Sequence, residues 1–473
     1  MTASPRRTAA PEEIAPPPAA APHPHHRPGI VLAVIVGCQL MIALDTSVVT
    51  IALPQVRDGL GMSTGGLAWI QNSYMLAFGG LLLLGGRAGD VFGRRRAFVA
   101  GVAGFTAASL AAGLATAGWF LLAARTAQGV AAAVAAPSAM SLIATSFAGQ
   151  ARVRALSVYS AVSGAGGAIG MLAGGLLTEA SSWRLVFFVN VPVGVALALL
   201  APRVLAETDR RPGRFDAAGA LTATLGMTAL VYGLIRAASD GWSDGRAGAA
   251  FAAGAVLIAA FLAVERRARQ PVMPLWLLTG RPRVASLLSL ALLVAAMFGA
   301  FFFLTQYLQQ VLGYGPLRAG AAFLPMVGLQ FTLVRTVPRV LPRVGARPLI
   351  AVGTLLVAAG LLWLTRLSPD DGFAAGVLGP FMLMGAGGGM SILPINATIL
   401  GSVDPAHSGA AAGVAQTTLW SGAALGPAVM LATADFGPSG TDLLRGMDGA
   451  FTTGAVFAVA ASLAALLLPR ARR

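Results

Sequence analysis

Apolar runs of about twenty residues recur fourteen times along this chain, and a helix needs about that length to cross the hydrocarbon core of a bilayer. Inside lipid, backbone polar groups must be paired within a helix or a closed barrel. A barrel would show stretches of roughly ten residues with alternating polarity. These runs are longer and do not alternate, so they are helices. The expected spans are 29–53, 66–85, 97–117, 119–147, 154–178, 184–203, 216–236, 247–265, 284–308, 317–340, 347–367, 373–400, 408–432 and 448–469. Charge supports this reading, since only 11% of residues are charged against about 25% in soluble proteins. The chain is expected to be an all-α polytopic membrane protein.

All 33 basic residues are arginine, and their placement sets the topology. With the N-terminus inside, 25 fall in the tails and inner loops and seven in the outer loops, with Arg125 inside a span. That asymmetry satisfies the positive-inside rule and puts both termini in the cytoplasm. Dispersed among short loops, the arginines read as topology and not as a nucleic-acid stripe. The absence of lysine excludes a P-loop motor and Schiff-base chemistry, so energy must come from a gradient or a partner. No metal-ligand set, nucleotide loop or catalytic triad is evident, so neither an enzyme nor a cofactor is expected. The lone Cys38, inside the first span, reads as a small buried hydrophobe. Residues 1–28 lack an apolar core and read as a disordered cytoplasmic tail in which His23, His25 and His26 are solvated. Trp69, Trp119 and Trp183 fall at outer span ends, where interfacial anchors sit.

A weak internal repeat links elements eight spans apart. Gly166-Gly167-Ala168-Ile169-Gly170-Met171 in the fifth span is matched by Gly422-Ala423-Ala424-Leu425-Gly426-Pro427 in the thirteenth. The inner loop Asp90-Val91-Phe92-Gly93-Arg94-Arg95 has a faded copy in Pro342-Arg343-Val344-Gly345-Ala346-Arg347. Repeated halves with a site at their interface are how many secondary transporters are built. The expected division is a tail (1–28), an N-terminal six-helix half (29–203), linkers with two additional helices (204–283), and a C-terminal six-helix half with a basic tail (284–473).

Four motifs then resemble one family. They are Asp45-Thr46-Ser47-Val48-Val49-Thr50-Ile51-Ala52-Leu53-Pro54 in the first span, Gly86-Arg87-Ala88-Gly89-Asp90-Val91-Phe92-Gly93-Arg94-Arg95-Arg96 after the second, Arg125-Thr126-Ala127-Gln128-Gly129 in the fourth, and Trp183-Arg184 with Phe187 and Asn190-Val191-Pro192-Val193-Gly194 at the sixth. In this order they resemble the fourteen-helix drug:proton antiporters of the major facilitator superfamily. The resemblance implies a major facilitator fold in a bacterial inner membrane, an origin that the Ala, Gly and Arg bias also suggests. It further implies export of hydrophobic or amphipathic small molecules against inward proton movement. It makes the loop bearing Gly86, Asp90, Gly93, Arg94 and Arg95 a conformational gate. Two residues depart from the family pattern: Met171 replaces the proline of the fifth-helix antiporter signature, and Thr50 replaces a common asparagine.

The residues themselves point to Asp45 and Arg125. An ionisable group at the centre of a span costs at least ~2.5–3.5 kcal/mol on insertion scales, so it faces a cavity or a partner. Each lies about seven residues from the outer end of its expected span, which puts the two level in the membrane. They are expected to face one central cavity with Gln128, Asp45 taking a proton or a cationic substrate; a static ion pair locking two helices is the alternative. Gly166, Gly170, Gly174 and Gly175, with Gly422, Gly426 and Pro427, form close helix-packing faces. Tyr159, Gln306, Asn396, Gln416 and Trp420 are candidates to line the cavity, with interhelical bonding or packing as the alternative. Phe301, Phe302 and Phe303 suit packing, Asp216 and Glu265 suit the interface, and His407 suits a loop. The expected partners are a small-molecule substrate, protons and membrane lipid, without nucleic acid or nucleotide. Rival readings are an importer or symporter on the same scaffold, or a non-transporting membrane sensor or structural protein.

Overall fold

The computed structural model describes residues 28–207, 216–268, 273, 275–368, 371–404, 407–435 and 443–469. The expected tail with its three histidines, and residues 470–473, lie outside the described residues. Fourteen spanning helices are present among those described: α1 (Pro28–Leu60), α2 (Thr64–Phe92), α3 (Arg94–Gly113), α4 (Gly118–Ser146), α5 (Gly149–Ala180), α6 (Leu185–Val204), α7 (Ala217–Asp240), α8 (Gly245–Arg267), α9 (Arg281–Val311), α10 (Pro316–Val344), α11 (Ala346–Leu364), α12 (Phe373–Gly401), α13 (Ser408–Ala432) and α14 (Leu443–Ala465). Thirteen contain an apolar stretch long enough to cross a membrane. The fourteenth, α13, carries Gln416, Thr417, Thr418 and Ser421, and it tolerates them because it packs among α2, α7, α9 and α14.

Local chemistry fixes the helix ends. Ser63 caps α2 by accepting from Gly66 N, and Asp216 and Asp244 cap α7 and α8 in the same way. Gly93 closes α2 at φ 101°, a conformation that suits glycine. Gly345 closes α10 at φ 85°, so the two inner loops of the sequence repeat share one turn geometry. α1 does not stop at Pro54 but runs on to Leu60, and Gln309 of α9 donates to Ile51 O beside the proline at 2.8 Å. Met171, standing in place of the motif proline, leaves α5 unbroken.

Helix packing repeats with the same offset of eight. α1 lies on α5 as α9 lies on α13; α2 on α4 as α10 on α12; α3 on α4 and α6 as α11 on α12 and α14. The two six-helix units meet along α2–α13 and α5–α10. The additional helices are central in sequence but lateral in space, with α7 packed on both α2 and α13 beside that seam. At the outer face the units touch. Gln55 donates to Gln309 at 2.8 Å, Arg57 to Gln310 at 3.3 Å, and Leu317 N to Glu179 at 3.0 Å. α5 meets α10 almost entirely through the outer segment Pro316–Ala322, so the arrangement is closed outside and parts toward the inside along this seam. Trp183, expected as a lipid anchor, is instead buried under Gly59, whose close approach covers the indole, whereas Trp119 is exposed.

Candidate coupling site

Asp45 and Arg125 do meet. Arg125 Nη1 donates to Asp45 Oδ2 at 2.5 Å and to Gln128 Oε1 at 3.0 Å, and its Nε donates to Ile70 O at 3.2 Å. Asp45 Oδ1 accepts from Gln128 Nε2 and Asn190 Nδ2, both at 3.1 Å, and Gln128 also donates to Ser109 Oγ at 2.8 Å. The Arg125 guanidinium lies 4.4 Å from the Tyr74 ring centroid, an attractive cation–π placement. Five helices therefore converge on one carboxylate: α1 holds it, α4 supplies the charge, and α2, α3 and α6 complete the shell. Gly129 explains the last letter of the fourth-helix motif. A Cβ there would lie 2.5 Å from Tyr74 O, so its absence lets α4 approach α2 closely.

Two expectations about this pair change. Because α1 continues to Leu60, Asp45 sits fifteen residues, not seven, from its helix end, and the extra turns run beyond the level of the α4 start. The pair also does not line an open cavity. Asp45 and Arg125 are each 1% exposed and their partners lie on α3 and α6, so the network is enclosed within the N-terminal unit. Every oxygen of Asp45 is already engaged, which leaves no room for a cationic ligand in this arrangement. A buried pair is tolerable only when its remaining hydrogen-bonding capacity is filled, and here the Gln128 and Asn190 side chains and the Ile70 carbonyl take it up.

Thr50 accepts from Gln71 at 2.7 Å and donates to Thr46 O, which keeps a polar link from α1 to α2 where the family often has asparagine. From Tyr74 an aromatic path continues to Phe78 (5.7 Å), across the α2–α13 seam to Trp420 (4.7 Å), and on to Phe298 (6.4 Å). The enclosed site thus touches a chain of rings that crosses between the two units.

The inner loop forms a second cluster. Arg94 donates to Asp90 at 3.2 Å, and Glu207, just past α6, accepts from Arg95 N at 3.1 Å and pairs with the Arg95 and Arg96 side chains. Gly86 and Gly89 face Pro137 and Ser138 of α4. A Cβ at Gly93 would lie 2.6 Å from the Glu207 carboxylate, so the turn and its acid fit each other.

The glycine faces are where the repeat put them. Gly166, Gly170 and Gly174 lie against Ala43, Ser47 and Val48 of α1, and Gly422 and Gly426 against Ala291 and Ala295 of α9. Pro427 is buried beside the latter. Gly175 instead meets Leu317 across the seam between the units. Among the candidate cavity residues, Gln416 is exposed and Asn396 is half-buried, donating to its own helix at Ile392 O. Gln306 is enclosed and donates to Phe302 O. Tyr159 is buried and donates to Gln39, and Trp420 packs against Phe78 with the two rings tilted. Phe302 and Phe303 are core residues, and His407 lies edge-on to Trp276. Glu265 is buried and accepts from Met273 N, so it is more enclosed than an interfacial acid would be.

Asn190, Ser109, Tyr74 and Glu207 complete these sites without having been singled out from the sequence. Asn190 was visible as part of the fourth motif. Glu207 had a subtler signal, a lone acid next to an arginine-rich inner loop. Serine and tyrosine in spans are too common to stand out.

An enclosed acid–arginine pair inside one of two similar six-helix units defines a secondary-transporter architecture. Residues 35–427 match the Major Facilitator Superfamily, and the chain belongs to it. It is 42% identical over 452 residues to the "Cephamycin export protein CmcT" of Amycolatopsis lactamdurans, covering 93% of each protein. It is 42% identical over 454 residues to the "Puromycin resistance protein pur8" of Streptomyces alboniger, covering 92% of this chain and 90% of that one. In fold it resembles the crystal structure of a peptide transporter, POT, in complex with sulfate, with TM-score 0.69 and 14% identity over 92% of this chain and 93% of the other.

Proposed function

We propose that this protein exports amphipathic small molecules of the antibiotic type in exchange for protons, with Asp45 as the proton-exchanging group and Arg125 as its counter-ion. The names of the two relatives, one an export protein and one a resistance protein, support efflux. The observation that carries proton coupling is the enclosed network. A carboxylate sealed with an arginine has two stable states, ionised and paired or protonated and released, and neutralising it leaves the arginine's charge uncompensated. Arg125 then shifts its weight onto Tyr74, and the ring path through Phe78 reaches Trp420 at the seam. Protonation therefore favours an arrangement of the units that gives Arg125 water as its partner, whereas the arrangement that binds substrate is the one with Asp45 ionised, so that substrate and proton compete.

The glycine faces hold α5 on α1 and α13 on α9 within each unit, so that the two units rock as bodies, with division near residues 203 and 284. The loop of Asp90, Arg94, Arg95 and Glu207 acts as the inner gate. The test uses purified protein in liposomes with an imposed pH gradient, an internal pH dye and a panel of amphipathic drugs. Drug-induced proton flux that vanishes in Asp45→Asn supports the proposal. Flux unchanged in that variant moves coupling to another residue, and the assignment of Asp45 is then withdrawn.

A further inference from the structure

The inner half of α10 carries Arg335 and Arg339, both exposed, and among the described residues neither has an ion-pair partner. Their depth is unusual. Arg335 lies nine residues before the end of α10 at Val344, about 14 Å along the axis at 1.5 Å per residue. Arg343 and Arg347 stand at the loop itself, whereas Arg335 lies two and a half turns inside the helix. A charge facing lipid costs more with depth, up to ~2.5–3.5 kcal/mol at the centre of a span, so a water-filled path is the environment that suits both.

Register shows which path. Leu317 of α10 packs on Gly175 of α5 across the seam. Within Leu324–Val344, Arg335 lies nine residues, two and a half turns, beyond Met326, so it faces away from α12 and toward the side on which Leu317 meets α5. Arg339 follows one turn later. The opposite side of α10 is taken up by α12, where Gly385 and Gly389 lie against Met326 and Gln330. α5 runs antiparallel to α10, and counting back from Gly175 the eighteen residues that separate Leu317 from Arg335 puts Ser157 level with Arg335. Ser157 is exposed, as is Arg154 one turn toward the inside. The inner mouth of this seam is therefore lined by arginine, and Asp45 is sealed away within the N-terminal unit.

We infer that Arg335 and Arg339 form the recognition site for an acidic group on the transported molecule, so that the substrate carries a carboxylate or phosphate. The inference rests on the export reading above and specifies the substrate class. A guanidinium pairs bidentately with either oxyanion, whereas a purely cationic drug would meet uncompensated positive charge at this mouth.

Binding tests this without any proton gradient, so its outcome is separable from that of the flux assay. The probes are pyrenebutyrate, its methyl ester and pyrenebutylamine, read by energy transfer from the tryptophans of the full chain, held in phosphatidylcholine nanodiscs, to the bound pyrene. Pyrenebutyrate is expected to bind about tenfold or more tightly than the ester or amine, as a charge-assisted hydrogen bond entails. Arg335→Gln with Arg339→Gln abolishes that preference and leaves ester binding unchanged, and Arg335→Lys restores part of it. Equal binding of acid and ester by the parent protein, or an undiminished preference in the double variant, overturns the inference. A double variant that loses only co-purifying phosphatidylglycerol, with pyrenebutyrate affinity intact, assigns the arginines to lipid headgroups and overturns it as well.

Discussion

Replacing Gly426 by alanine places a methyl group 2.1 Å from Ala295 O and 2.5 Å from Ala295 Cα, where ordinary contact begins at 3.4 Å. Both obstructing atoms are backbone, so α13 must move off α9 by about an ångström or the helices must bend. Overpacking of this kind costs about 1–3 kcal/mol, and a backbone clash belongs at the upper end. Alanine in a helix recovers about 0.5–1 kcal/mol relative to glycine, leaving a net loss of about 2 kcal/mol. For a unit the size of one six-helix half that is a fall in Tm of about 4–8 °C. Gly170→Ala meets Ser47 Cβ at 2.8 Å and Leu44 O at 3.0 Å and is expected to lose less. Gly167→Ala meets nothing nearer than Ser47 Oγ at 3.6 Å and keeps the helix gain, so its Tm equals or slightly exceeds the parent's. The assay is a thermal melt of purified protein in detergent, followed by size-exclusion fluorescence. If Gly426→Ala melts with Gly167→Ala, the claim that the glycine faces are packing surfaces is wrong.

Further outcomes follow from other contacts. Cysteines at 55 and 309, joined by a short bifunctional thiol reagent, are expected to hold the outer face shut and stop transport until the linker is cleaved; native Cys38 is buried and gives little background. Transport that continues through the cross-link would refute the outer closure as part of the cycle. Glu207→Ala frees the inner loop and is expected to slow transport several-fold with expression unchanged, whereas Glu207→Asp retains part of the rate. Asp244 lies outside the spans, and the Arg236 guanidinium beside it holds its carboxyl below the usual carboxylate range. A depressed acid stabilises the fold above its ordinary pKa and loses that contribution as pH falls through the lowered value. Asp244→Ala should therefore melt lower than the parent at pH 7, with the gap closing in acid; a gap that persists there would contradict the ion-pair account.

Much of this architecture was legible in the sequence, because lipid leaves few alternatives. Span length gave the number of the helices, and the paired glycine motifs gave the repeat that the packing of α5 on α1 and of α13 on α9 displays. Helix ends were less legible. Pro54 marks a stop in most helices, but here α1 continues past it to Leu60, and nothing local in the sequence marks that continuation, which sets Asp45 further from its helix end than expected. The meeting of Asp45 and Arg125 could be read from charge economy alone. Their enclosure could not, because it depends on Ser109 and Asn190 turning toward α4 and α1, and a span sequence does not announce which way a serine or an asparagine faces. The lateral position of α7 and α8 was likewise hidden, since their order in the chain says only that they connect the two units.

The central claim is that the carboxyl of Asp45 exchanges its proton with the transported molecule. Its most direct test is proton release on substrate binding, measured with a pH dye and purified protein in lightly buffered detergent solution. The account predicts that saturating substrate releases protons from the parent protein and none from Asp45→Asn, although that variant still binds. Equal release from both would contradict it and place the exchanging proton elsewhere in the chain.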